Sequence, residues 1–132
     1  AIATVYADTG EKNLLPISLL GSGLSNCLHI LLPSILYKNA TILVDEFEDG
    51  LHHSVFAPLL DLAFKLAREN NNQLFITSHS NEFLQSLITV AASSGADDVS
   101  FFRLSKKGIQ GVIPKYSLTE ASSVIESNLD IR

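Results

Sequence analysis

Two short clusters in this sequence carry residue types that can do chemistry. Asp45, Glu46, Glu48 and Asp49 place four carboxylates within five positions, and Thr77, Ser78 and His79 follow some thirty residues later. Adjacent carboxylates repel: at about 5 Å and an effective dielectric of 20 the Coulomb energy is about 3 kcal/mol, an upper bound that solvent lowers. A cation, a nearby base or a raised pKa would offset it. Apart from Lys38 and the histidines, no basic side chain lies between Lys38 and Leu62, so a hard cation with oxygen ligands is the natural candidate, and Mg²⁺ with a phosphate would fit. Read singly, each cluster has a plainer explanation: a solvated acidic loop, and a capping or surface histidine. Their joint placement favours a site.

That placement follows from the elements around them. Thr41 to Val44 is a continuous apolar run, expected to be a central strand covered on both faces, and it ends in the acids. Gln73 to Thr77 reads as a second buried strand ending in Ser78 and His79. In an open parallel sheet, ligands bind outside the carboxyl ends of the strands, so the two polar ends should face one cleft. Between them Val55, Leu59, Leu62 and Leu66, with Phe56, Leu60, Ala63 and Ala67 beside them, make a wide helical stripe that Asn70, Asn71 and Asn72 terminate. Upstream, a weak β-prone run at Ile2 to Tyr6 precedes the glycine elbow Gly21-Ser22-Gly23. The elbow opens onto a helix buried through Leu24, Leu28, Leu31, Leu32, Ile35 and Leu36, with Pro33 expected to kink or break it. Downstream, Asn81 is the expected cap of a helix carrying Phe83, Leu84, Leu87, Ile88 and Ala91 up to Gly95. Val99 to Leu104 and Ile109 to Tyr116 read as strands about a turn at Lys106, Lys107 and Gly108, and Leu118 to Ile125 is weakly helical. The alternation predicts an α/β layer with mainly parallel central strands, flanking helices and a small antiparallel edge hairpin.

Composition narrows the function classes. The chain has 132 residues, 46% of them hydrophobic and 17% charged, enough for one compact core and too apolar for a disordered tail. Nine Lys and Arg against 14 Asp and Glu give a net charge of −5, so no overall positive field is available to hold a nucleic acid. No apolar stretch approaches the roughly 20 residues that span a bilayer, and the single Cys27, expected to be a buried reduced thiol, fits the cytoplasm. Ala1 opens the chain in what reads as a strand and there is no Met, which suggests a piece of a longer protein.

The motifs also resemble a family. Thr41-Ile-Leu-Val-Asp-Glu46 looks like a Walker B strand, Glu48-Asp-Gly-Leu-His-His53 like the D-loop after it, and Ile76-Thr-Ser-His-Ser80 like a switch-histidine segment, in matching order and spacing. This is the pattern of ABC-type ATPase heads, closest in wording to the OLD-like and SMC-related AAA ATPases, and it covers about residues 17 to 105. The resemblance implies that the chain, residues 1–132, is one partial domain: the C-terminal lobe of a P-loop NTPase-like, ABC-type head. It implies ATP and Mg²⁺ as cofactors, with Asp45 on the metal's water shell, Glu46 polarising the attacking water, and His79 contacting the γ-phosphate. Gly50 and Leu51 would turn the loop toward a partner subunit, bringing Asp49 to nucleotide, while His52 packs beneath. Gly21, Ser22 and Gly23 fall at the signature loop, where Gly21 replaces the usual serine and Ser22 could supply the hydroxyl. No segment reads G-x-x-x-x-G-K-[ST], so the Walker A lobe must come from upstream or from a second polypeptide, and a homodimer would close around nucleotide. DNA would be reached, if at all, through other domains. Two other readings stand beside it: a metal-dependent phosphohydrolase or nuclease using the acids and His79, and a non-catalytic interaction module.

Overall fold

The structure is a computed structural model describing residues 5–10, 12–95, 98–107 and 110–126. It is an α/β chain of four helices and four two-stranded sheets among the described residues. The chain forms two compact units, one of Ala1–His52 with Leu62–Thr77 and one of His53–Asp61 with Ser78–Arg132.

The first unit opens with an antiparallel pair, β1 (Tyr6–Ala7) with β2 (Leu15–Pro16). Of the expected strand at Ile2 to Tyr6, residues 2–4 lie outside the described residues. Helix α1 (Ser22–Leu36) starts at Gly21, whose φ of +104° suits glycine and few other residues. Pro33 does not break it: the helix runs on to Leu36, and Tyr37 N–H still donates to Pro33 O at 3.0 Å. The buried face also differs from expectation. Ile30 and Ser34 are the residues fully covered, while Leu24, Ile35 and Leu36 are exposed.

β3 (Thr41–Val44) and β4 (Gln73–Ile76) pair in parallel, with Thr41 opposite Gln73 and Val44 opposite Ile76. The expected parallel pairing is present, but the expectation of cover on both faces is not met. Ile42 is buried, whereas Leu43 is 77% exposed and its register partner Phe75 is 50% exposed, so one face of the pair is open. Asparagines close the amino ends of both strands. Asn39 and Asn71, each two residues before its strand, take left-handed φ values of 54° and 53° and are joined by a 2.7 Å bond from Asn71 Nδ2 to Asn39 Oδ1. Asn72 accepts from Ala40 N–H at 2.9 Å and donates to Tyr37 O at 2.9 Å, and Asn70 donates to Ser34 O at 2.9 Å.

Helix α2 (Phe56–Glu69) begins in the second unit and ends in the first. Its buried residues are Phe56, Leu59, Leu60, Ala63 and Ala67, as the stripe predicts, although Leu62 is exposed. In the second unit, α3 (Asn81–Ser93) buries Phe83, Leu87, Ile88, Val90 and Ala91, and Phe83 meets Phe56 edge-on with ring centroids 5.6 Å apart. The cap is Ser80 rather than Asn81: Ser80 Oγ accepts from Phe83 N–H at 3.2 Å, which satisfies a free first-turn amide. β5 (Phe101–Phe102) pairs antiparallel with β8 (Lys115–Tyr116), and β6 (Ser105–Lys107) with β7 (Gln110–Val112). The expected hairpin is therefore present, but Lys106 and Lys107 belong to a strand and the turn positions 108 and 109 lie outside the described residues. Helix α4 (Leu118–Glu126) starts with a capping box in which Glu120 Oε2 accepts from Ser117 N–H and Ser117 Oγ, both at 2.7 Å. These bonds lower the Glu120 pKa. Cys27 is half-buried rather than fully covered, and burial raises its thiol pKa.

Candidate functional site

The carboxyl end of the β3–β4 pair carries the acids. The chain leaves β3 at Val44, and Thr77, the residue after β4, holds the departing segment in place. Thr77 N–H donates to Val44 O at 2.9 Å, and Phe47 N–H donates to Thr77 O at 3.2 Å. The Thr77 hydroxyl has two partners: it donates to Asp45 Oδ1 and accepts from Glu46 N–H at 2.9 Å. One side chain on the neighbouring strand therefore aims the Asp45 carboxylate and fixes the Glu46 peptide. Thr77 stood in the sequence as part of a polar strand end. That its hydroxyl organises both acids emerges only from the parallel register.

Glu46 takes φ +48°. A left-handed conformation costs a residue with a Cβ about 1–2 kcal/mol, and among the non-glycine residues in this region the other two are asparagines, which tolerate it. Such strain persists where surrounding bonds over-determine it, and it concentrates at functional sites. Here the bonds are visible on both sides of the residue: Glu46 N–H to Thr77, and Glu46 O accepting from Asp49 N–H at 2.9 Å.

Phe47, between the two acid pairs, is 1% exposed. The sequence showed four carboxylates in five positions; the remaining, central position is the buried anchor of the loop. After it, Leu51 N–H donates to Glu48 O at 3.0 Å, and Gly50 turns the chain with φ +65°.

Gly21, Ser22 and Gly23 lie in the same unit, at the start of α1, and the structure brings Ser22 and Gly23 to this loop, while a Cβ on Gly21 would meet nothing within 4 Å. A Cβ on Gly23 would stand 3.0 Å from Gly50 O, and one on Gly50 would stand 3.3 Å from Ser22 Oγ and 3.0 Å from Asn26 Nδ2. Asn26, which no motif singled out, donates from Nδ2 to Asp49 O at 2.7 Å. Asp45, Glu46 and Asp49 line a hollow of about 240 Å³ together with Asn26 and His29 of α1. Among the described residues, no three His, Cys, Asp or Glu side chains stand together in an arrangement that could hold a metal ion by themselves. A single aimed carboxylate suits Mg²⁺, which is usually held by one or two carboxylates and the phosphates of its substrate.

His79 belongs to the second unit, where it is exposed on the segment between β4 and α3. Ser78 Oγ, next to it, accepts from Ser80 N–H at 3.0 Å and so shapes the approach to the helix cap. No helix among the described residues is long and apolar enough to cross a membrane.

Comparison with known proteins agrees with this architecture. An "ATP/GTP phosphatase" of Helicobacter pylori is 36% identical over 108 residues, covering 79% of this chain; the chain spans 29% of that protein's length. An uncharacterized protein of Methanocaldococcus jannaschii is 31% identical over 78 residues, 59% of this chain and 68% of the relative. A solved structure from work on ATP-driven dimerization and DNA-stimulated activation of SMC ATPases superposes with a TM-score of 0.63 at 12% identity, over 96% of this chain and 73% of its own, so the two share a fold. Residues 3–85 match a family directly, and by that match the chain belongs to the family described as "AAA domain, putative AbiEii toxin, Type IV TA system".

Proposed function

We propose that this chain is the C-terminal lobe of an ABC-type, OLD-like ATPase head that binds and hydrolyses ATP once joined to a Walker A lobe and closed as a dimer around nucleotide. The observation that carries the reading is the Thr77 hydroxyl, bonded at once to the Asp45 carboxylate and the Glu46 amide at the carboxyl end of a parallel strand pair. The Helicobacter pylori relative, by its description a phosphatase of ATP and GTP, supports the same chemistry. The SMC ATPases, by description driven to dimerize by ATP, support the dimer.

In this reading Asp45 would hold the water shell of Mg²⁺, which would supply charge neutralisation on the phosphates. Thr77 keeps the Asp45 carboxylate aimed. Glu46 orients a water and accepts its proton at the carboxylate as the γ-phosphoryl group leaves. His79 contacts that phosphoryl group and registers its loss. Gly21, Ser22 and Gly23, at a helix amino terminus, present N–H groups and the Ser22 hydroxyl to nucleotide on the opposite subunit, with Asp49 beside them.

The test is Glu46→Gln in the complete head, this chain together with its Walker A lobe. Gln keeps the size of the side chain and removes its basicity, so steady-state hydrolysis should fall by about a hundredfold or more while ATP stays bound. Undiminished hydrolysis would overturn the assignment.

A further inference from the structure

We infer that Asn26 is a positioning residue for the reaction proposed at Glu46, acting through the backbone of the acid loop. The inference rests on that functional reading and assigns a role to a residue that lies outside the Walker B, D-loop and switch segments.

A run of hydrogen bonds along the loop links Asn26 to Asp45. Asn26 Nδ2 donates to Asp49 O at 2.7 Å, across 23 positions of sequence. Asp49 N–H donates to Glu46 O at 2.9 Å. Glu46 N–H donates to Thr77 Oγ1 at 2.9 Å, and the Thr77 hydroxyl ends the run on Asp45. Both peptide groups flanking the left-handed Glu46 are thus tied down, one to β4 directly and the other to α1 through Asp49 and Asn26. A strained φ needs fixing from both sides, because a loop free at either end would relax toward an ordinary conformation and carry the carboxylate away.

The packing around Asn26 shows how close this joint is. A Cβ on Gly23 would stand 3.0 Å from Gly50 O, and one on Gly50 would stand 3.0 Å from Asn26 Nδ2, both tighter than ordinary van der Waals contact. At this joint Asn26 bridges helix and loop, its Nδ2 donating to Asp49 O at 2.7 Å. It also links the glycine segment at the start of α1 to the acid loop, so a displacement of one would reach Glu46.

Asn26→Ala and Asn26→Asp in the complete head test this. Asp matches Asn in size but turns an acceptor oxygen toward the Asp49 carbonyl, so the bond is lost without a cavity. Both variants should lower kcat about tenfold or more, the loss expected when a supporting contact lets a catalytic group drift, with KM for ATP within about twofold of the unmodified head. Amide hydrogen exchange at Asp49 and Leu51 should rise in both. In a double-mutant cycle with Thr77→Val the losses should be less than additive, because the two residues fix the backbone of Glu46 from its two sides. An unmodified head that hydrolyses no ATP would overturn the functional reading, and exchange at Asp49 would still decide whether Asn26 holds the loop. Unchanged kcat, unchanged exchange, a loss confined to KM, or fully additive losses would overturn the role of Asn26.

Discussion

The two ends of the β3–β4 pair solve the same geometric problem with opposite residues. Each has chain entering or leaving parallel strands through a left-handed turn. At the amino end the left-handed positions are Asn39 and Asn71, and their neighbours Asn70 and Asn72 bond the carbonyls of Ser34 and Tyr37 and the amide of Ala40. At the carboxyl end the left-handed position is Glu46, beside Asp45 and a hydroxyl that serves both. Asparagine in a left-handed turn is a choice for stability; glutamate there is not. The difference separates an end built to hold the strands together from an end built to hold a carboxylate in place.

If that division is right, the two ends should fail differently. Asn72→Ala removes the acceptor for Ala40 N–H and the donor to Ser34 O and Tyr37 O, and should cost about 2 kcal/mol of stability in urea unfolding, since the part-buried Ala40 amide and Ser34 carbonyl lose a partner. The hydrolysis rate per folded molecule should stay unchanged. Thr77→Val keeps the shape of the side chain and removes its hydroxyl. With Asp45 in the metal-binding role proposed above, hydrolysis by the complete head should fall about ten- to hundredfold, with stability altered by less than about 1 kcal/mol. A rate loss in Asn72→Ala equal to that in Thr77→Val would break the comparison.

A smaller effect sharpens it. Glycine adopts the left-handed region readily, so Glu46→Gly should relieve the turn and raise stability by about 1 kcal/mol while abolishing hydrolysis. The same change at Asn71 should gain nothing, because asparagine already tolerates the conformation and its side chain bonds Asn39. Denaturation midpoints of the two variants provide the measurement. A stability loss in Glu46→Gly would mean that the glutamate side chain is itself structural.

The sequence made the acid end legible because its signal is one of residue type: carboxylates and a threonine directly after apolar runs. The parallel pairing, the order of helices and the buried faces of α2 and α3 were legible for a similar reason, since periodicity encodes them. What escaped is set by register and by distant contacts. Asn70 to Asn72 read as a helix stop, and only the pairing of Thr41 with Gln73 shows that they clamp the other strand's entry. Asn26 is unremarkable in an apolar helix until the loop at Asp49 arrives beside it. Leu43 and Phe75 carry a buried-strand signature yet remain exposed, because periodicity reports what a strand can bury and the described residues leave that face open. Ser80 rather than Asn81 caps α3 because adjacent Ser and Asn are nearly equivalent as caps, and only the backbone decides between them.

Glu120 gives a carboxylate for contrast, one whose partners are purely local. Its pKa is lowered by the bonds from the Ser117 amide and hydroxyl, so the ionised form is the one that the folded helix favours. The sign of the linkage follows: the stabilisation is present above the unfolded value of about 4.3 and is lost as pH falls through the lower folded value. Because Glu120 is fully exposed, solvent screens the effect and the shift in melting temperature should be small. Glu120→Gln should melt slightly below the unmodified chain at neutral pH, and the two curves should converge as the pH drops below about 4. Hydrolysis should be unaffected throughout. Glu46→Gln should show the reverse pattern, with a large change in rate and little change in melting temperature. A neutral-pH gap for Glu120→Gln that persisted into acid would mean that its side-chain packing, rather than its charge, starts α4.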